Sequence, residues 1–258
     1  MSRGFGVAAG LDPDVAGPLA ERCAELGYAS IWSNDHPGAL GLETLRVFAD
    51  AAPELELGVG VMALDRHRPK EINGHIERLG IDRETLWLGV GAGFDSKPLT
   101  TMSRALPDLR EQIPGVRLVL AAMGPKMCRL AGSAYDGAFF NWMTPEYAAS
   151  ARLNVEWGAG DVPRELPPVF GYVRTAVGPD AGERLAKEES FYRDLHAGYR
   201  NHFDRLGEPQ GTVGVAAADK DEAQLLLAAY QALDVTVVRG LASATVEAMT
   251  AVAEAAAP

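Results

Sequence analysis

The side chain best suited to proton transfer lies in the segment Asn34-Asp35-His36-Pro37, directly after a short apolar run. An unperturbed imidazole titrates near about pH 6.5, so His36 can donate or accept a proton under ordinary conditions. Alternation along a strand directs Asn34 and His36 to the same side. A histidine at a strand end can equally be bonded to a backbone carbonyl, and the residue types leave both interpretations open.

Two further segments are rich in glycine. In Gly58-Val59-Gly60-Val61-Met62 the glycines indicate a bulge or a close approach of a ligand, although small residues also fill a tapered barrel. Gly89-Val90-Gly91-Ala92-Gly93-Phe94 resembles half of a dinucleotide fingerprint, but Phe94 replaces the last glycine and a loop follows. A Rossmann site is therefore not predicted, because no helix directly follows the glycines. Exposed backbone that contacts a flat ring or a phosphate is the interpretation left open.

The fourth segment, Ala122-Met123-Gly124-Pro125-Lys126, joins an apolar run to a helix that begins at Pro125. Free N–H groups at a helix start bind anions, and Lys126 adds a full positive charge. A proline turn followed by a solvated lysine is the alternative interpretation. Residues 61–140 also carry more Lys and Arg than Asp and Glu, which makes this part of the chain the place to expect an anionic ligand.

Several well-defined catalytic motifs are absent from the sequence: H-E-x-x-H, C-x-x-C, G-x-S-x-G and the P-loop. No metal ligand set is predicted, because His67 and His75 lack a nearby carboxylate pattern. His196 and His202 are expected to be solvated on a surface helix. The four tryptophans are interpreted mainly as core residues: Trp32, Trp87, Trp142 and Trp157. Of these, Trp142 is the one expected to line a cavity.

Apolar runs that alternate with helical patterns predict the elements that position these segments. The predicted strands cover residues 5–9, 30–34, 55–64, 85–90, 117–122, 138–142, 169–177 and 235–239. Strands this apolar indicate a parallel sheet covered by helices, and eight such units favour a (β/α)8 barrel over an open sheet. Functional sites in such barrels form at the carboxyl ends of the strands, where all four segments lie. Residues 180–206 and 220–233 are predicted to be helical.

Composition sets the broad class of protein. The chain has 258 residues, of which 47% are hydrophobic and 23% charged, as in a soluble globular protein. Its net charge of −11 disfavours nucleic acid as a partner. No apolar run reaches the roughly 18 residues of a membrane span, and the start of the chain turns acidic too early for a signal peptide. With only Cys23 and Cys128, a disulfide framework is not expected, so a cytoplasmic protein is predicted.

Taken together, the segments resemble the luciferase-like monooxygenase superfamily of flavin and deazaflavin enzymes. The matching stretches are A-E-L-G-Y-A-S-I-W-S-N-D-H at 24–36, L-G-V-G-V-M at 57–62, R-P at 68–69, L-W-L-G-V-G-A-G at 86–93, A-A-M-G-P-K at 121–126, L-A-G-S-A-Y-D-G at 130–137 and V-V-R at 237–239. Their order and spacing make the resemblance specific. It implies a single luciferase-like (β/α)8 TIM barrel domain over 1–258, compact and with shortened insertions, whose cleft holds an isoalloxazine or deazaflavin ring.

The resemblance also implies roles for individual residues. Gly60-Val61 matches a pair joined by a non-proline cis peptide that supports the ring. Gly124, Pro125 and Lys126 match the segment that meets the cofactor phosphate, and His36 matches a histidine that faces the ring. Arg239 is a candidate for the phosphate or the cofactor tail. The remaining cofactor-binding candidates are Asn34, Gly91, Ala92, Gly93, Met123 and Asn141.

Within the superfamily, the D-H ending of the second strand and L-G-V-G-A-G are more similar to the branch that uses coenzyme F420 than to FMN enzymes. The implied reaction is hydride transfer between F420 and a small organic substrate, with His36 as proton donor or acceptor. Relatives are commonly homodimers. Sugar-phosphate dehydrogenases of this branch carry a catalytic Glu where this chain has Phe94, which favours an apolar substrate pocket. Residues 96–102 leave room for only a short lid.

Two alternatives stay open beside the F420 reaction. One is an FMN-dependent monooxygenase or flavoprotein on the same scaffold. The other is a non-catalytic barrel that has lost the cofactor. Fold alone does not choose among the three.

Overall fold

Parallel strands alternate with helices along the whole of the chain that the computed structural model describes, residues 2–258; Met1, the first residue of the predicted domain, lies outside it. The strands are β1 Ser2–Val7, β2 Ser30–Ser33, β3 Glu56–Ala63, β4 Leu86–Gly91, β5 Arg117–Ala121, β6 Gly137–Asn141, β7 Val169–Val177, β8 Val215–Ala217 and β9 Val235–Gly240. The helices are α1 Pro13–Glu25, α2 Gly41–Ala51, α3 Pro69–Leu79, α4 Pro98–Gln112, α5 Pro125–Ala134, α6 Pro145–Gly160, α7 Ala181–Leu195, α8 Ala197–Leu206, α9 Lys220–Ala228 and α10 Val246–Ala255.

The sheet closes into a barrel of eight parallel strands. Each strand from β1 to β7 pairs with the next, β7 pairs with β9, and β9 pairs with β1. The predicted (β/α)8 barrel is therefore confirmed, with all eight predicted strands in it. The sequence pattern missed β8, which has only three residues and pairs with the last residues of β7 outside the closed ring.

Local signals in the sequence set the helix boundaries. The carboxylate of Asp12 accepts from the amide of Asp14 at the start of α1, and Pro13 occupies the first helical position. The same arrangement recurs at α6, where the hydroxyl of Thr144 accepts from the amide of Tyr147. These caps satisfy amides that have no partner within the helix, so each helix begins where the capping residue stands.

Aromatic side chains fill the middle of the barrel. The ring of Trp32 lies 5.0 Å from that of Phe139 and 5.2 Å from that of Phe170, measured between centroids. Glycine on the neighbouring strand makes room for them, since a Cβ at Gly58 would stand 2.2 Å from Cδ2 of Trp32. The interior is thus packed solid at this level, and it separates the two ends of the barrel.

At the amino-terminal end of the strands, a paired arginine closes the barrel. Arg117 donates to the carboxylate of Glu56 at 2.8 Å, and the indole N–H of Trp87 donates to the other oxygen at 3.0 Å. The guanidinium carbon of Arg117 lies 3.9 Å from the centre of the Trp87 ring. Glu56 pairs with the charge of Arg117 and Trp87 stacks on its guanidinium, whereas Nε and Nη2 of Arg117 are buried without a hydrogen-bond partner. We call this group the lower arginine cluster.

The helices cover the outside of the barrel. None of those among residues 2–258 has both the length and the apolar character that crossing a bilayer requires. Trp157 on α6, which the sequence pattern assigns to the core, is 54% exposed, so that prediction is wrong. The reason is that α6 packs through small residues, with Gly158 against the backbone of α5, and Trp157 falls on its outer face.

Candidate functional site at the carboxyl ends of the strands

Small residues and bare backbone form one half of the upper rim. The register of β3 against β4 shifts between Val59 and Met62, and the Gly60–Val61 peptide within this bulge is cis, as the resemblance implies. Gly60 and Val61 are both partly exposed. A Cβ on Gly91 would lie 3.1 Å from Val61 Cγ2, so β3 and β4 meet here through their smallest groups. This half of the rim presents a low, apolar surface to the mouth of the barrel.

His36 lies on the loop after β2 and is exposed. Its Nδ1 accepts from the amide of Gly38 at 3.1 Å, and its Nε2 lies 3.3 Å from the carbonyl oxygen of Ala9. Because Nδ1 accepts, the neutral ring carries its proton on Nε2 and donates it to Ala9. Asn34 ties the same two loops together, since its Oδ1 accepts from the Ala9 amide at 2.7 Å. The structure thus shows the backbone-bonded histidine, and the role of His36 in proton transfer stays a prediction.

A buried carboxylate holds the His36 loop in place. The side chain of Asp35 is almost fully buried and accepts from the Gly41 amide at 3.0 Å. It also accepts from Arg66 at 2.6 Å and from Nε2 of His67 at 2.8 Å. The carboxylate partner that the sequence analysis did not find for His67 is Asp35, which lies far away in the sequence and across the rim. Asp35 therefore fixes the β2–α2 loop to the β3–α3 loop.

The loop after β4 is tied down in the same way. The Asp65 carboxylate accepts from the amide of Phe94 at 2.9 Å. Gly93 has φ +63°, and a Cβ there would stand 2.0 Å from the Asp65 carboxylate, so only glycine fits. The Phe94 ring is 57% exposed and stacks on His196 with 4.7 Å between centroids. Phe94 thus joins the β4–α4 loop to the α7–α8 junction at the roof of the mouth, and it does not line an enclosed apolar pocket.

The start of α5 leaves its first amides free. Gly124 is the N-cap residue in an extended conformation, and no side chain bonds to the first turn. A Cβ on Gly124 would meet nothing within 4 Å, so there is open space beside it. Pro125 and Lys126 are exposed. Ala121 and Met123, which precede them in the chain, are partly exposed. Free amides, open space and a lysine together suit a phosphate group.

The other half of the rim carries two buried arginines. Arg174 on β7 and Arg239 on β9 are register partners, and they are 2% and 9% exposed. Arg174 donates to the side-chain oxygen of Asn141, whose amide donates to the Tyr199 hydroxyl at 3.2 Å. Arg239 donates to the carbonyl oxygen of Gly240 at 3.1 Å. Asn141 and Arg239 are sequence candidates, whereas Arg174 was missed.

Aromatic rings surround the guanidinium of Arg174. Its central carbon lies 4.2 Å from the ring centre of Trp142, 4.9 Å from that of Tyr192 and 5.5 Å from that of Tyr172. Trp142 is buried in the left-handed region at φ 55°, an unusual conformation for a bulky residue. Trp142 is buried against Arg174, and its role in lining a cavity stays a prediction. We call Arg174, Arg239 and these rings the upper arginine cluster.

The upper arginine cluster has donors left over. Arg174 Nε, Trp142 Nε1 and the Tyr172 hydroxyl are buried without a hydrogen-bond partner. Among residues 2–258, no carboxylate lies within 4.0 Å of either guanidinium. Burial, reinforced by the charge of Arg174, lowers the pKa of Arg239. Burial also raises the pKa of Tyr172, so its hydroxyl keeps its proton and remains a donor.

Helices α7 and α8 form the roof over this half. The His202 ring is fully buried, and its Nε2 donates to the Trp142 carbonyl oxygen at 2.6 Å. Burial and the nearby Arg205 lower the pKa of His202 to about 4, although the bond to Trp142 opposes this shift. The prediction that His202 is solvated is therefore wrong, because the inner face of α8 packs onto the end of β6. His196, at the α7–α8 junction, is partly exposed.

No family model matches the sequence. Solved structures match it over nearly its full length. One is an F420-dependent secondary alcohol dehydrogenase in complex with an F420–acetone adduct, at 14% identity and a TM-score of 0.74, covering 99% of both chains. A second is the coenzyme F420-dependent tetrahydromethanopterin reductase from Methanopyrus kandleri, at 16% identity and a TM-score of 0.68, covering 98% of this chain and 97% of that one.

A third is the oxygenating constituent of 3,6-diketocamphane monooxygenase from Pseudomonas putida in complex with FMN, at 11% identity and a TM-score of 0.63, covering 100% of this chain and 98% of that one. At these identities the likeness concerns the fold. The (β/α)8 barrel that the sequence resemblance implies is therefore confirmed.

Proposed function

We propose that this protein is an oxidoreductase that transfers hydride between coenzyme F420 and a small organic substrate. One observation carries the proposal: a low apolar surface and an uncapped helix start lie side by side on one half of the upper rim. The first is suited to a flat ring and the second to a phosphate. Two of the structures with the same fold are named for F420, which supports this cofactor.

The residues at the rim fit such a group. Gly60 and Val61 are partly exposed at the bulge, and Gly91 is buried beside Val61, so backbone and methyl groups form the part of the rim on which a planar ring would lie. The open space beside Gly124 and the charge of Lys126 suit the phosphate that follows the ring. When bound, a deazaflavin supplies the hydride-transfer chemistry itself.

The remaining work falls to the protein. His36, on the loop beside β2, would give or take the proton that accompanies the hydride, after exchanging its long contact with Ala9 for the substrate. Asp35 keeps that loop in place through Arg66 and His67. The Phe94–His196 stack and the α7–α8 roof would limit the access of water to the mouth.

A spectroscopic titration with F420 and FMN side by side tests the proposal. We expect F420 to bind at micromolar concentrations or tighter and FMN to bind less tightly. Lys126→Ala should weaken F420 binding about tenfold or more, because a charge-assisted contact contributes roughly 1.5–3 kcal/mol. Lys97→Ala is the matched control, since Lys97 lies next to the proline that begins another helix at this end of the barrel. An unchanged dissociation constant for Lys126→Ala would remove Lys126 from the site.

The second candidate function is an FMN-dependent monooxygenase or flavoprotein. It is favoured by the FMN complex that shares this fold. Purified protein that carries FMN, and that oxidises reduced FMN with oxygen, would establish this reading in place of the first. Binding of neither cofactor would contradict both and leave a non-catalytic barrel.

A further inference from the structure

The upper arginine cluster places two positive charges side by side in the interior. Arg174 and Arg239 face each other across the β7–β9 pairing, and both are almost fully buried. The polar contacts to their side chains are an amide oxygen from Asn141 and a carbonyl oxygen from Gly240. Among the described residues no carboxylate reaches within 4.0 Å of them, and Glu188 acts on Arg239 only from a distance.

Such an arrangement is costly for the protein alone. Buried charges in proteins are normally paired or bonded on all sides, because removing an ion from water is expensive. Stacking on Trp142 and Tyr192 offsets part of that cost for Arg174. It does nothing for the repulsion between two like charges, nor for Arg174 Nε, which has no acceptor.

The unpaired donors converge on one place. Trp142 Nε1 and the Tyr172 hydroxyl are buried without partners, and the rings of both residues lie near the Arg174 guanidinium. Each is a donor; Tyr172 lies within β7, and Trp142 directly follows β6. An acceptor that carries negative charge is what this set of groups lacks.

We propose that Arg174 and Arg239 together bind an oxyanion, either the carboxylate of a substrate or an anionic group in the tail of a cofactor, in the mouth of the barrel. The forked guanidinium matches both groups, and the surrounding rings suit a flat organic anion. The identity of the ligand rests on the proposed function, whereas the anion site itself does not. The inference replaces the apolar pocket that Phe94 led us to expect, since the mouth also carries charge.

Isothermal titration with benzoate and with inorganic phosphate, in the absence of any cofactor, tests the site. We expect the wild-type protein to bind at least one of the two probes. Arg174→Met and Arg239→Met should each weaken that binding about tenfold or more, as expected for loss of a charge-assisted bond. Arg174→Lys should retain part of it, since it keeps the charge and loses the fork.

Arg117→Met is the matched control, because Arg117 also stacks on a tryptophan inside the barrel but already has Glu56 as its partner. It should bind the probes as the wild type does. The midpoint of thermal unfolding adds a second readout that does not depend on a ligand. Arg239→Met should keep or raise that midpoint, since it removes an unpaired buried charge, whereas Arg117→Met should lower it.

Titration of the same variants with F420 separates the two sources of the anion. Weaker F420 binding in Arg239→Met identifies an anionic group in the cofactor tail, whereas unchanged F420 binding together with lost benzoate binding identifies a substrate carboxylate. If neither F420 nor FMN binds while benzoate still does, the proposed function fails and the anion site stands. The anion site is overturned if the wild type binds neither probe, or if the arginine variants bind them as tightly as the wild type.

Discussion

Each end of the barrel interior contains an arginine stacked on a tryptophan, and the two ends differ in what compensates the positive charge. In the lower cluster, Arg117 lies 3.9 Å from the ring centre of Trp87 and 2.8 Å from a carboxylate oxygen of Glu56. In the upper cluster, Arg174 lies 4.2 Å from the ring centre of Trp142, with an amide and a second arginine in place of the carboxylate. The cation and the indole are common to both ends, whereas the counter-ion and the exposure to solvent differ.

That difference separates a structural end from a functional one. The amino-terminal face of a (β/α)8 barrel contributes to stability, whereas ligands bind at the carboxyl ends of the strands. In the lower cluster the charge of Arg117 already has Glu56 as its partner, although its Nε and Nη2 also lack acceptors. An open set such as the upper cluster is complete only when a ligand brings the missing charge, and the structure thus marks the place where an anion belongs.

The solid layer between the ends offers the largest test of this comparison. Gly58→Ala places a methyl group 2.2 Å from the ring of Trp32, which is hemmed in by Phe139 and Phe170. We expect a loss of about 3 kcal/mol in the free energy of unfolding, measured by urea denaturation, because overpacked cores relax poorly. Gly74→Ala is the control, since its Cβ meets nothing on the surface of α3. Equal stability of the two variants would show that the aromatic layer in the middle of the barrel can accommodate an extra methyl group.

The roof of the upper cluster responds to acid through His202. Its pKa is lowered to about 4 by burial, against about 6.5 in an unfolded chain, so the folded state binds the proton less well. Stability from this group is therefore complete above pH 6.5 and is lost as the pH falls from 6.5 through 4. We expect the free energy of unfolding to drop by roughly 3 kcal/mol between pH 7 and 4 from this group alone.

The measurement is a comparison with His202→Gln, which keeps a donor for the Trp142 carbonyl but does not titrate. Urea denaturation of both proteins at pH 7, 5.5 and 4 isolates the histidine, because all carboxylates are shared. The variant should lose less stability on acidification. Parallel pH profiles for the two proteins would contradict the lowered pKa.

Proton transfer gives the next test and again contrasts the two ends. With a substrate that reduces F420, His36→Ala should slow turnover by about 100-fold while F420 binding stays near the wild-type value, as expected for loss of a positioned proton carrier. Added imidazole should restore part of the rate. Arg117→Met, at the other end, should leave the rate unchanged. Wild-type turnover in His36→Ala would make the bond to Ala9 the whole role of this histidine.

The sequence predicts the barrel and the small-residue half of the rim better than the arginine half. Strand and helix periodicities, caps such as Asp12 and glycines such as Gly93 are local signals, so they are readable without the fold. No local signal of this kind identifies Arg174 as a site residue. It sits in an apolar strand whose inward positions become apparent only when β7 is placed against β9. The alternation Phe170, Tyr172, Arg174 was the one signal that could have exposed it.

Long-range partners explain the other failures. Asp35 bonds to His67 from another loop, and His202 bonds to the carbonyl of Trp142 directly after β6, so neither environment can be derived from sequence neighbours. The exposed position of Trp157 follows from the close contact of α5 and α6 through glycines. In each case the sequence shows the type of side chain but not the tertiary contact that determines whether it is buried or exposed.

The smallest predicted effect comes from substituting the acidic residue of the lower arginine cluster. Glu56→Gln leaves Arg117 without a counter-ion, as Arg174 is in the upper cluster, while the side-chain amide can still accept one bond. Because the Glu56 and Arg117 side chains are 44% and 30% exposed, solvent screens the loss, and we expect about 1 kcal/mol less stability in urea denaturation.

The control is Glu54→Gln, a substitution at an exposed neighbour, which should change nothing measurable. Benzoate binding should be unaltered in both variants, since Arg117 is partly exposed and lies at the opposite end of the barrel from the proposed anion site. A loss above about 3 kcal/mol would place the lower arginine in an environment as dry as the upper one, and exposure would then no longer explain why only the upper pair needs a ligand.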